Sequence, residues 1–116
     1  MPPMTTYRRG DVVLVSFPFT DLTATKQRPA LIVSPDSVNR LNQDFILAAI
    51  TSQLPGDEHS VGLSAGDFQH GKLPKESVVR LTKLFTMHST LIRKKIGTLK
   101  SAKMEALLQQ LGKIFS

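Results

Sequence analysis

Apolar residues in this chain gather in short runs broken by proline, glycine and small polar residues. Asp11-Val12-Val13-Leu14-Val15-Ser16-Phe17 reads as a strand, opened after Gly10 and stopped by Pro18. A second strand is predicted from Pro29 to Ser34, and a short helical turn from Asp36 to Asn42 behind Pro35. Phe45 to Ile50 is an apolar run of strand length that ends at Thr51-Ser52-Gln53. Pro55 to Glu58 is a turn, Ser60 to Ser64 a short strand, and Gly66 to Lys75 a loop. Ser77 to Leu81 and Lys83 to Met87 read as two strand pieces, with Ile96 to Leu99 as a last one.

The tail follows another period. Met104, Leu107, Leu108, Leu111 and Phe115 recur at spacings of three and four, one face of a helix begun by Ser101 as N-cap. That face is expected to cover the open end of the sheet. Many short strands and one terminal helix predict a mainly β fold with a C-terminal helix, a small and strongly bent β-barrel. Closing the sheet would also hide the edges of such apolar strands. No repeat or linker divides the chain, so residues 1–116 are expected to form a single domain.

Charge sharpens this picture. The formal net charge is +6. Residues 1–71 hold five Lys/Arg against seven Asp/Glu, whereas residues 72–100 hold eight (Lys72, Lys75, Arg80, Lys83, Arg93, Lys94, Lys95, Lys100) against Glu76. Such segregation attracts polyanions, either nucleic acid or an acidic protein, although a solvated basic surface has the same composition. With no cysteine there is no disulfide, no thiolate nucleophile and no Cys-based zinc site. His59, His70 and His88 lack ligand spacing, so no metal or cofactor is expected. No apolar stretch approaches the ~20 residues that span a bilayer. The N-terminus lacks the apolar core of a signal peptide, which predicts a cytoplasmic protein.

Candidate chemistry lies where polar groups end apolar strands. Arg28 stands between the polar stretch Thr20-Asp21-Leu22-Thr23-Ala24-Thr25 and the strand beyond Pro29, which biases it toward an extended backbone. A guanidinium there is suited to grip a phosphate through paired hydrogen bonds. Thr51 could donate to the same anion, and His88 could move a proton. Each residue also has a plainer reading, as a surface arginine, a turn threonine and a turn-capping histidine. Glycine-rich phosphate loops, nucleophile elbows and convincing carboxylate pairs are missing from the sequence.

Several segments together resemble the MazF/PemK-like toxins of type II toxin-antitoxin systems. They are Arg9 to Asp21, Lys26-Gln27-Arg28-Pro29-Ala30-Leu31-Ile32-Val33-Ser34, Ala49-Ile50-Thr51-Ser52-Gln53, Glu76 to Leu81 with Leu84 to Met87, and Ile96-Gly97-Thr98-Leu99 before the last helix. They occur in order over nearly the whole chain. The resemblance implies an SH3-like barrel, a homodimer, and a cognate antitoxin as partner. It also implies a metal-independent endoribonuclease that cuts single-stranded RNA or mRNA, leaving 2′,3′-cyclic phosphate and 5′-hydroxyl ends. Arg28 and Thr51 would then be catalytic, with Asp21 or His88 assisting proton transfer. Thr20, Thr23, Thr25, Lys26, Gln27, Ser52, Gln53, Arg80 and Lys83 would contact RNA. The chain departs from the family pattern at Thr23-Ala24-Thr25, where some members carry an acid, and at Phe85-Thr86-Met87-His88, where many carry Arg-Thr-Ile-Asp. The competing expectation is a barrel that binds antitoxin or nucleic acid with little or no cleavage. A general small-barrel nucleic-acid binder is disfavoured, since aromatic residues are only 6% of the chain.

Overall fold

The computed structural model describes residues 7–17 and 26–116. Its strands are β1 (Asp11–Phe17), β2 (Lys26–Ile32), β3 (Asp44–Thr51), β4 (Ser60–Leu63), β5 (Phe68–Gly71), β6 (Ser77–His88) and β7 (Ile92–Leu99). Helix α1 (Asp36–Asn42) joins β2 to β3, and α2 (Ser101–Ile114) ends the chain. The strands make one antiparallel sheet in the order β4-β6-β3-β2-β1-β7-β5. Register shifts between Val12 and Val13, Leu14 and Val15, Ala48 and Ala49, and Phe68 and His70 curl it. The expected bent barrel is therefore a half-barrel, with β4 and β5 as its two ends.

Alternation sorts the apolar side chains onto the two faces. Val12, Leu31, Ala48, Ile50, Val79, Leu81 and Leu99 gather on one, beneath Met104 and Leu107 of α2. Val13, Val15, Ala30, Ile32, Phe45, Leu47, Met87 and Ile92 gather on the other. Val12, Val13, Val15, Leu31, Ile32 and Leu47 are all wholly buried. At roughly 1.5–3 kcal/mol for each large apolar side chain, these central strands hold the sheet together.

The structure corrects several sequence boundaries. β2 begins at Lys26 rather than Pro29, because Lys26 still pairs with Phe17 of β1. The stretch expected as a loop after Gly66 contains β5, pinned by Phe68 opposite Leu99. The two pieces around Thr82 are one strand: Ala48 pairs with Leu84 and Ala49 with Arg80, so Leu81, Thr82 and Lys83 form a bulge of β6 between them. β7 begins at Ile92, opposite Val15, although Arg93, Lys94 and Lys95 hide its strand character.

In α2 the extended residue before the helix is Lys100, so Ser101 is the first helical residue rather than the cap. Met104 and Leu107 are buried as expected, whereas Phe115, beyond the last turn, is 74% exposed. Lys103 also ties α2 to Asp67 at 3.4 Å. Burial opposes ionisation of Asp67, but the Ser64 N–H and the Lys103 ammonium outweigh it and hold the carboxyl below its ordinary value. Among the described residues, no helix is long and apolar enough to cross a membrane.

Candidate active site at a fork between two strands

Arg28 lies in the first half of β2, opposite Val15 of β1. β2 also pairs with β3, through Ala30–Ala49, Leu31–Ala48 and Ile32–Leu47. Pro29 has no N–H to give a ladder, and the pairing with β3 stops at Ala30. Lys26 to Pro29 stay with β1, while Ile50 and Thr51 stay with Val79 and Val78 of β6. The two strands part here as a fork. Carried on by two residues, the register of Ala30 and Ala49 sets Arg28 level with Thr51 across the gap.

Both side chains belong to one face. Arg28 shares the alternation of Ala30 and Ile32, and Thr51 that of Phe45 and Leu47, four members of one apolar cluster. Arg80, opposite Ala49, shares this face as well. Ala30 is wholly buried and Ala49 half-buried, so the residues of β2 and β3 that lie between Arg28 and Thr51 on this face are both small.

Arg28, Gln27, Ser52 and Gln53 are exposed and Thr51 is half-buried. The Thr51 hydroxyl oxygen accepts the Gln53 N–H at 3.1 Å, which keeps its own hydrogen for an incoming acceptor. The turn reading of Thr51 and its anion-binding reading are therefore compatible. Arg80 is half-buried, with Nη2 3.5 Å from Oδ2 of Asp57. The His59 N–H lowers the pKa of Asp57, slight desolvation opposes this, and the Ser60 hydroxyl and Arg80 add to the lowering. Lys83 is exposed on the β6 bulge. Lys26 opens β2 beside the fork.

His88 is not brought to this place. His88 pairs with Asp44, at the opposite end of β3 from Thr51. Seven residues at about 3.3 Å each put it roughly 23 Å away within the chain. Its Nδ1 accepts the Thr90 N–H at 3.2 Å, so it caps the turn at Ser89–Leu91. Thr20, Asp21, Thr23, Ala24 and Thr25 lie outside the described residues. Among the described residues, no three His, Asp or Glu side chains group as metal ligands. A shallow pocket lined by His59, Val61, Leu81, Gln110 and Ile114 lies between β4, β6 and α2, apart from the fork.

Sequence reasoning gave two residues no role that the fold now does. Phe85, opposite Leu47, packs on the same face as Arg28 and is half-buried. Arg93 donates from Nε to the buried Ser16 hydroxyl at 2.6 Å, a contact across 77 positions of sequence. A serine set between Val15 and Phe17 in a largely apolar strand was the available signal for the second.

Fold and site together define a small half-barrel with a cation and a hydroxyl across a strand fork. Residues 8–115 match the PemK-like, MazF-like toxins of type II toxin-antitoxin systems, and the chain belongs to that family. Among curated proteins none matches the sequence closely enough to count as a relative. Solved structures share the fold. An endoribonuclease of a mycobacterial species, in complex with its cognate antitoxin, has a TM-score of 0.74 at 20% identity, over 97% of this chain and 95% of that one. For a MazE-MazF complex from Deinococcus radiodurans the values are 0.75 and 21%, over 94% and 95%. For a Mycobacterium tuberculosis MazF toxin they are 0.71 and 23%, over 90% and 95%.

Proposed function

We propose that this toxin-family chain is an endoribonuclease acting on single-stranded RNA, and that a cognate antitoxin restrains it. The observation that carries the reading is the strand register, which sets Arg28 and Thr51 on one face of the sheet where the pairing of β2 with β3 ends. Similar folds described as endoribonuclease, toxin and toxin with antitoxin support it.

In the reaction, a ribose 2′-oxygen attacks the neighbouring phosphorus and gives up its proton. The bond from phosphorus to the 5′-oxygen breaks, and that oxygen takes up a proton. The products are a 2′,3′-cyclic phosphate and a 5′-hydroxyl. Since the nucleophile comes from the substrate, the protein supplies position, proton transfer and a cation for the charge that develops on the phosphoryl oxygens. Arg28, charged at any working pH, fits the last task and cannot act as the base. Thr51 donates to a phosphate oxygen. We assign proton transfer to the first loop, with Asp21 as candidate, because His88 caps a turn far from the fork. Lys26, Gln27, Ser52, Gln53 and Arg80 would line the RNA path at the fork, Lys83 would reach it from the bulge, and Thr20, Thr23 and Thr25 would add RNA contacts. A homodimer in the cytoplasm completes the reading.

A second reading rests on the distance of His88 from Thr51. If the first loop supplies no base, the same face binds RNA or antitoxin without cutting. Mixed-sequence RNA incubated with the protein in excess chelator separates the two. Cleavage is expected for wild type, with loss of at least about a hundredfold in Arg28→Ala. Intact RNA with wild type favours the binding module, and undiminished cutting by Arg28→Ala removes the assigned mechanism.

A further inference from the structure

We propose that Arg93, held by Ser16, is a second phosphate-binding site, which takes the backbone of the RNA beyond the cleaved linkage. The inference rests on the ribonuclease reading for its substrate. It rests on the structure for its place.

Ser16 is 4% exposed, yet its hydroxyl accepts the Nε–H of Arg93 at 2.6 Å. A buried acceptor thus fixes one edge of an exposed guanidinium. With Nε committed, the two terminal nitrogens retain their paired donors, the arrangement that matches two oxygens of one phosphate. Fixing the fork in advance lowers the entropy lost when an anion binds. Among the described residues no carboxylate pairs with this guanidinium: those in ion pairs go elsewhere, Asp11 to Lys95, Asp57 to Arg80, Glu58 to His59 and Asp67 to Lys103. β7 contains no acid at all, and Lys94 beside Arg93 lies opposite Leu14.

Geometry separates this cation from the fork. Val15 faces Arg28's side of the sheet and pairs with both Arg28 and Ile92. Ser16 follows Val15 and Leu14 precedes it, so both point the other way. Arg93 and Lys94 accordingly stand on the reverse face, about two strand spacings from Arg28, or roughly 10 Å between backbones. They cannot grip the phosphate that Arg28 holds. Only an RNA that extends beyond the linkage held at the fork can meet cations on both faces. A chain of phosphates satisfies both cations, whereas a short substrate satisfies one.

The test compares an RNA just long enough to cover Arg28 and Thr51 with one extended well past it on both sides. In Arg93→Ala the ratio of kcat/KM for the long RNA to that for the short one falls roughly two- to fivefold, through KM rather than kcat. The log–log salt slope for binding a long, uncleavable 2′-deoxy strand falls by about 0.7, one phosphate contact. Arg93→Lys keeps part of the effect. Ser16→Ala, which leaves the charge but frees the fork, loses less than Arg93→Ala. An unchanged ratio with an unchanged slope overturns the proposal, and so does an equal loss on both lengths, which would mark a structural role. If wild type cuts neither RNA, the ribonuclease reading is what fails, and the salt slope still decides the site.

Discussion

A hydroxyl that already accepts a hydrogen bond is a better donor than one left to rotate. Thr51 accepts the Gln53 N–H, which confines its own hydrogen to the open side of the turn. The anion it would meet is charged, and hydrogen bonds to charged groups contribute about 1.5–3 kcal/mol. Thr51→Ala should therefore lower kcat/KM for RNA by roughly ten- to a hundredfold, while Thr51→Ser, which keeps the hydroxyl, stays near wild type. Steady-state cleavage of one defined RNA by the two variants checks this. Equal losses in both would mean that the methyl group and its packing matter, not the donor. Arg28 has no such conservative replacement, because lysine carries the charge without the fork.

Among the elements, β5 is the one most dependent on a single position. It is a sheet end of four residues, held to β7 through Phe68–Leu99, His70–Thr98 and Gly71–Gly97. A Cβ on Gly97 would stand 2.9 Å from the His70 carbonyl oxygen and 2.9 Å from the Phe68 ring. Gly71 has φ +74, so the backbone there suits glycine and the strand cannot easily shift aside. Gly97→Ala is expected to cost about 1–3 kcal/mol and to unpair β5 first. A lower denaturation midpoint, with faster amide exchange in β5 than in β3, would show it; an unchanged midpoint would mean the edge adapts. The same strand shows where reading a sequence stops. β1, β3 and α2 were legible because each carries its own apolar period or run, and α1 because Pro35 and Asp36 mark its start. β5 was not, since Gln69, His70 and Gly71 are exposed and its register comes wholly from β7. The bulge that unites the two halves of β6 is a property of pairing with Ala48 and Ala49, not of Thr82 itself. Arg28 and Thr51 were legible as strand ends. That they share one face of the sheet was not, because it depends on a register set farther along at Ala30 and Ala49.

At the scale of the whole molecule, folding breaks up what looked like one basic block. The cations of residues 72–100 part company: Arg80 and Lys83 go to β6, Arg93, Lys94 and Lys95 to β7, and Lys100 to the start of α2. Some of the charge is spent internally, on Asp57 and Asp11. What remains outward is a field distributed over the sheet, which steers polyanions without itself selecting among them. An acidic antitoxin segment and RNA would then meet the same Arg28 face and compete for it. Labelled 2′-deoxy RNA bound to the protein should be displaced by the antitoxin segment, with each ligand weakening the other by the same factor, as linkage requires. Both affinities should fall as salt rises, RNA with a log–log slope of about 0.7 for each phosphate contacted. A stable ternary complex in which neither ligand weakens the other would place the antitoxin off the fork. Displacement that survives high salt would instead mean that the segment is held by apolar contacts, and that charge brings the partners together without holding them.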